Sequence, residues 1–185
     1  MPGRNRALLS EEQAVLAKAD KSARSCIYIS HFHINREIAC AVADYVMNHS
    51  GLDVYFDEND ADLDLDVLLH APVRVIKCIE RGLLISTHIL CLASAATSGC
   101  WWLPYEIGYG RSSNKGVAIL KLKGPVELPE YLEISTVLRS TRGLNLYLEA
   151  LRGTGANTQE INETLLAHRV MNHPLDNFLD WQEFT

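Results

Sequence analysis

CIYISHFHINREIACAVADYVMNHSGLDVYF, residues 26–56, holds two β-type runs on either side of one helical stripe. CIYIS, residues 26–30, is short, apolar and rich in β-branched and aromatic residues, the composition of a strand. It stops at the polar cluster Ser30, His31, His33 and Asn35. INREIACAVADYVMNH then places apolar residues at 34, 38, 41, 42, 45 and 46, one stripe at helical period. Ser50 and Gly51 close that helix, and LDVYF, residues 52–56, reads as a second strand. Strand, helix, strand in so short a span is a βαβ unit, and its two strands are parallel.

The rest of the chain repeats the alternation. Upstream, residues 10–21 read as a short helix, with Ser10 and Gln13 spaced as a capping box. Downstream, DENDADLDLD (57–66) is dense in acid and invites a calcium reading. The spacing fails, because Leu65 stands where the calcium loop needs glycine and no glutamate closes it at 71, so a solvated loop is expected. APVRVIKCIERG (71–82) is a helix with Pro72 in its first turn, Val73, Ile76 and Ile79 on one face and Gly82 at its end. LLISTHILCLA (83–93) is nearly continuous in apolar residues, as a central parallel strand is. A helix from about residue 101, a strand GVAILKL (116–122), a loop GPVELPEYL (124–132), an edge strand in STVLRS (135–140) and a helix over 142–152 follow. After Gly153 and Gly155, another helix spans 157–171. The tail, NHPLDNFLDWQEF (172–184), holds Leu175, Phe178, Leu179 and Trp181, apolar groups that must dock on the body or on a partner.

The pattern predicts a flavodoxin-like, doubly wound α/β domain of about five parallel strands over residues 25–152. A helical extension, 1–24, precedes it, and a C-terminal helix and tail, 153–185, follow. A chain of 185 residues with 48% hydrophobic and 22% charged residues suits one such core. No apolar run approaches the roughly 20 residues that span a bilayer, and charges interrupt the N-terminal segment, so a cytoplasmic protein is expected. A net charge of -6 offers no general attraction to nucleic acid or to an anionic membrane. The five cysteines, at 26, 40, 78, 91 and 100, form no C-x-x-C pair, so neither a metal site nor a disulfide framework is expected.

Ligands in such sheets bind at the carboxyl ends of the strands, beside the topological switch point between strands one and three. The loops there carry Ser30, His31, Phe32 and His33 on one side and the residues from Ser94 to Trp102 on the other. CWWLPYEIGYGRSSNK (100–115) adds a single carboxylate, Glu106, beside aromatic surface. Taken locally, Glu106 is a solvated helix acid or a reacting group, and the fold argument brings it to the crevice. Neither G-x-G-x-x-G nor a Walker lysine is present, so any nucleotide is held by other means.

These segments, in this order, resemble a TIR (Toll/interleukin-1 receptor) domain over roughly residues 25–150. YISHFHINREIA is similar to the first TIR box, VYFDEND to the strand that enters the BB loop, and IERGLLISTHILCLAS to the helix–strand box that ends in serine. Trp102 and Glu106 match the W-x-x-x-E spacing. YEIGYG and the short chain look most like bacterial antiphage TIR proteins of the Thoeris type. The resemblance implies an enzyme for which NAD+ is substrate and which needs no cofactor. Glu106 would be catalytic, the product a cyclic or conjugated ADP-ribose-derived signal read by a downstream effector protein, and the chain would self-assemble through TIR–TIR contacts. It implies substrate contacts for Ser30, His31, Phe32, His33, Asp57, Trp102 and Tyr105. Each has a plainer role beside that one: Ser30 as a helix cap, Phe32 as a core anchor, His31 and His33 as solvated loop residues, Asp57 in a turn, Trp102 and Tyr105 as core. His88 reads as a core histidine, and Cys91 and Cys100 flank the site without a base partner. Two other functions fit the same residues: a non-catalytic TIR scaffold, and a nucleoside 2-deoxyribosyltransferase-like enzyme with a nucleophilic glutamate.

Overall fold

β1 (Cys26–Ser30), β2 (Asp53–Tyr55), β3 (His88–Ala93), β4 (Gly116–Lys121) and β5 (Thr136–Leu138) lie side by side in a computed structural model that describes residues 1–10, 12, 13, 16, 24–56, 72–153 and 173–181. They form one all-parallel sheet in the order β2-β1-β3-β4-β5. This is the flavodoxin-like order, with β1 at the centre of the switch. Its helices are α1 (Arg36–Tyr45), α2 (Pro72–Ile85), α3 (Trp102–Ser112), the single turn α4 (Glu130–Glu133) and α5 (Thr141–Leu151).

Both faces of the sheet are covered, which is why its strands read as unbroken apolar runs. Ile27, Ile29, Leu90, Leu92 and Leu120 face one core, with Val42 and Val46 from the first crossover and Leu144 and Leu148 of α5. Cys26, Tyr28, Ile89, Cys91 and Ile119 face the other, with Val75, Ile79 and Leu83 of α2 and Leu103 and Ile107 of α3.

Several boundaries differ from the sequence expectation. Ile34 is not part of the α1 stripe: it sits in a 3-10 turn, His33–Asn35, and is 66% exposed, while Ala39, Val42, Ala43 and Val46 are buried. Beyond Tyr45 the helix widens into a π turn, Val46–Ser50, and ends at Gly51 as expected. Val73 is 65% exposed, and the buried face of α2 is Val75, Ile79 and Leu83, spaced four residues apart. α2 does not stop at Gly82 but runs to Ile85, so Leu83, Leu84 and Ile85 belong to the helix and the third strand starts at His88. Gly82 is interior for a packing reason: a Cβ there would lie 2.5 Å from Tyr55 Cε1 and 2.6 Å from Tyr28 Cε2. The stretch expected as loop at 124–132 contains the start of α4, which buries Leu132 completely.

The N-terminal segment closes the β2 edge. Asn5 bridges Val54 in parallel, and Val54 N–H donates to Arg4 O at 3.0 Å. This covers a sheet edge that would otherwise expose unpaired backbone groups. Ser10 and Gln13 make the expected capping box, Ser10 N–H to Gln13 Oε1 at 3.1 Å and Gln13 N–H to Ser10 Oγ at 3.3 Å. Most of the helix expected over 10–21, the acidic stretch 57–66 and the helix expected over 157–171 lie outside the described residues.

The tail docks on the body. Leu175 and Leu179 are buried in the α1–α5 core and Phe178 packs against it. Asp180 O and Trp181 O accept the N–H groups of Thr141 (2.8 Å) and Arg142 (3.2 Å), and Ser140 Oγ accepts that of Gly143 (3.1 Å). The first donors of α5 are thereby satisfied by the tail and its own N-cap. Ser140→Ala is expected to cost about 1 kcal/mol and to lower the melting temperature by about 2–4 °C. A thermal melt identical to wild type would rule that cap contribution out. Among the described residues no helix is long and apolar enough to cross a membrane, and no group of three or more His, Cys, Asp or Glu side chains is placed to hold a metal ion.

Candidate active site

β1 feeds a crossover on one face of the sheet and β3 a crossover on the other, so their carboxyl ends part into a crevice. Ser30 ends β1 opposite Cys91 of β3. Two polar contacts tie the loops that follow: Asn35 Nδ2 donates to Ser94 Oγ at 2.8 Å, and Ser94 N–H donates to Thr97 Oγ1 at 2.8 Å. The rim is therefore built from the β1 loop, the β3 loop and the first turns of α1 and α3.

α3 brings the carboxylate in. Leu103, Glu106, Ile107 and Gly110 form its buried face. A Cβ at Gly110 would lie 2.2 Å from Ile89 Cδ1, so the glycine lets the helix lie close on the sheet. Glu106 consequently reaches β1 and is only 7% exposed. Tyr28 Oη donates to Glu106 Oε1 at 3.1 Å, and Ser30 Oγ donates to Glu106 Oε2. Each carboxylate oxygen thus has a hydroxyl donor from the strand.

The cleft above Glu106 encloses about 90 Å³. His31, Phe32, His33, Arg36 and Trp102 line it beside Tyr28 and Glu106, and Ile29, Val75, Ile79 and Cys100 complete its wall. Burial pushes the His31 imidazole below its ordinary range, the bond to Ile29 O works in the other direction, and the charges of Arg36 and His33 push it further down. His31 is therefore neutral at pH 7, with Nδ1 3.4 Å from Ile29 O. Its ring leans on Phe56 at 5.5 Å, and Phe32 meets His33 edge-on at 4.2 Å. Burial also raises the Cys100 thiol, with the Glu106 charge adding to the rise against the N–H groups of Leu103 and Trp102. Cys91 is held well above its ordinary range, first by burial and then by Glu106. Both shifts favour the protonated thiol, the less nucleophilic form.

Of the expected contact residues, the fold gathers Ser30, His31, Phe32, His33 and Trp102 around Glu106. Tyr105 is not among them: it is 37% exposed, and its hydroxyl donates to Glu80 Oε1 of α2 at 2.9 Å. The reason is helical geometry, since a residue one position from Glu106 points about 100° away from it, whereas Trp102, four positions back, shares its face. Asp57 lies outside the described residues. The sequence reading passed over Tyr28 and Arg36, while Cys100, read as flanking the site, lines the cleft. Tyr28 was accessible through strand period, being two residues from Ser30 and on the same face.

Among the described lining residues Glu106 is the one carboxylate. The two-carboxylate chemistry of most glycosidases therefore has no second partner within this wall. What the cleft offers is one fixed negative charge, aromatic surface, a neutral imidazole and a guanidinium. No protein-family model matches the chain, and no match is found among the curated proteins.

Proposed function

We propose that this cleft cleaves the bond between nicotinamide and ribose in NAD+, releasing nicotinamide and an ADP-ribose-derived nucleotide, in the manner of a TIR domain. The observation that carries this reading is Glu106, a nearly buried carboxylate held at both oxygens by Tyr28 and Ser30 on the floor of an aromatic-lined cleft. In this reaction the electrons of the C1′–N bond pass to the nicotinamide nitrogen, which starts as a cation and leaves neutral without a general acid. Positive charge develops on the ribose, and one fixed carboxylate facing it stabilises that charge. Capture of C1′ by water, with loss of its proton, gives ADP-ribose. Capture by another nucleophile of the same or a second molecule gives a cyclic or conjugated product, which an aromatic wall that limits water favours. Arg36 supplies positive charge suited to the diphosphate, and Phe32 and Trp102 supply ring surface for a base.

The same reading assigns the protein to antiphage signalling in a bacterial cytoplasm, with activation by TIR–TIR assembly and an effector protein that senses the nucleotide. Purified protein at high concentration, incubated with NAD+ and analysed by small-molecule chromatography, is expected to release nicotinamide in equal amount to the NAD+ lost. The mass of the partner peak separates linear, cyclic and conjugated ADP-ribose. Folded protein that leaves NAD+ intact, alone and with lysate of phage-infected cells, would overturn the enzyme reading in favour of a scaffold.

A further inference from the structure

Tyr28 occupies the middle of β1, an interior strand of the sheet. It is paired with Tyr55 of β2 on one side and Ile89 of β3 on the other, so its backbone is fixed on both edges. The residue is 7% exposed, and its ring stacks on Tyr55, with centroids 5.9 Å apart and planes 21° from parallel. α2 lies directly over this pair at Gly82, where any Cβ would meet both rings. A glycine inside a helix costs about 1 kcal/mol relative to alanine. The ring contact is the local reason for accepting that cost. A tyrosine hydroxyl carried into an apolar cluster needs a partner, and here the partner is the Glu106 carboxylate.

We infer that Tyr28, seated by Gly82, is a positioning residue that fixes the orientation of the Glu106 carboxylate for the reaction proposed above. The inference rests on that reading of the cleft. Two donors on one rigid strand, Ser30 on one oxygen and Tyr28 on the other, restrict the turning of the carboxylate more than either would alone. Freezing a glutamate side chain costs rotamer entropy, and here folding has met that cost before substrate arrives. Tyr28 thereby acts through Glu106 and contributes in the transition state rather than to substrate affinity.

Tyr28→Phe keeps the ring and removes the donor alone, so the fold is retained. Its kcat for nicotinamide release is expected to fall by about tenfold or more while KM stays within about twofold. Gly82→Ala, which keeps the hydroxyl but crowds the ring, is expected to lower kcat in the same way. In crystals, Glu106 is expected to take one orientation in wild type and more than one, or a turned one, in Tyr28→Phe. If Glu106→Gln is inactive while Tyr28→Phe keeps wild-type kcat, the positioning role falls and the site reading stands. If KM rises at unchanged kcat, Tyr28 is instead a substrate contact and the inference is overturned. If Glu106→Gln retains full turnover, the site reading itself fails. An unchanged, single Glu106 orientation in Tyr28→Phe overturns the inference whether or not the protein turns over NAD+.

Discussion

Glu106→Gln is expected to lower nicotinamide release by about 10³-fold while the protein stays folded. The size follows from the charge removed. A unit negative charge about 4 Å from a developing positive one, at an effective dielectric constant of about 20, is worth about 4 kcal/mol. At about 1.4 kcal/mol per decade this is about three decades in rate. Glutamine fills the same volume and keeps one acceptor, so the carbonyl can still take a bond from Tyr28 or Ser30. The other hydroxyl can turn to accept from the new NH₂ group, because hydroxyl hydrogens rotate. Neither hydroxyl is orphaned, and one buried charge is gone. The melting temperature is therefore expected to stay level or to rise, the usual sign of a site that holds charge at the expense of stability. Chromatography of nicotinamide and a thermal melt on the same preparation check both halves. A folded Glu106→Gln protein with undiminished turnover would remove Glu106 from the chemistry.

Much of this arrangement was legible in the sequence because it depends on period. The apolar stripe of α1 between two β-rich runs defined the βαβ unit, and the alternation beyond it predicted the sheet, including β5 as an edge strand. The switch-point argument then placed Ser30, His31, Phe32 and Glu106 together. The failures share a different cause. Gly82 looked like a helix end because glycine usually ends helices. Here it marks close contact between α2 and the rings of Tyr28 and Tyr55, a tertiary fact that no local pattern contains. Val73, Ile76 and Ile79 are a legitimate helical face, but so are Val75, Ile79 and Leu83, and only the surface of the sheet selects the second. Tyr105 is a different case: helical spacing already separated it from Glu106, and its proximity in sequence outweighed that geometry. Arg6 gave no sequence signal at all, since a lone arginine near a chain start is ordinarily solvated.

Arg6 nonetheless carries the second large prediction. Arg6 and Asp53 are each 2% exposed, with Arg6 Nε 2.8 Å from Asp53 Oδ2. Each member also has a backbone partner: Arg6 Nη2 donates to Arg24 O at 2.8 Å, and Asp53 Oδ1 accepts Arg4 N–H at 3.0 Å. Beside it, the Asn5 amide spans the backbone of Phe56, donating to Phe56 O at 2.6 Å and accepting from Phe56 N–H at 3.1 Å. Removing one member of such a pair leaves an uncompensated charge out of water. Asp53→Ala and Arg6→Met are each expected to destabilise the protein by about 3–5 kcal/mol. In a chain of this size that corresponds to a melting temperature lower by roughly 6–20 °C. The double variant Arg6→Met, Asp53→Leu is expected to be more stable than either single one, because it leaves no buried charge behind. Urea unfolding of the three variants tests this, and single variants costing less than about 1 kcal/mol would show that the pair is effectively solvated. The consequence reaches the cleft. Asp53 begins β2, Tyr55 ends it, and Tyr55 supports the ring of Tyr28 that holds Glu106. The N-terminal segment therefore belongs energetically with the sheet. In the single variants turnover is expected to fail at the temperature where the β2 edge loosens, below the wild-type limit, with Glu106 itself intact.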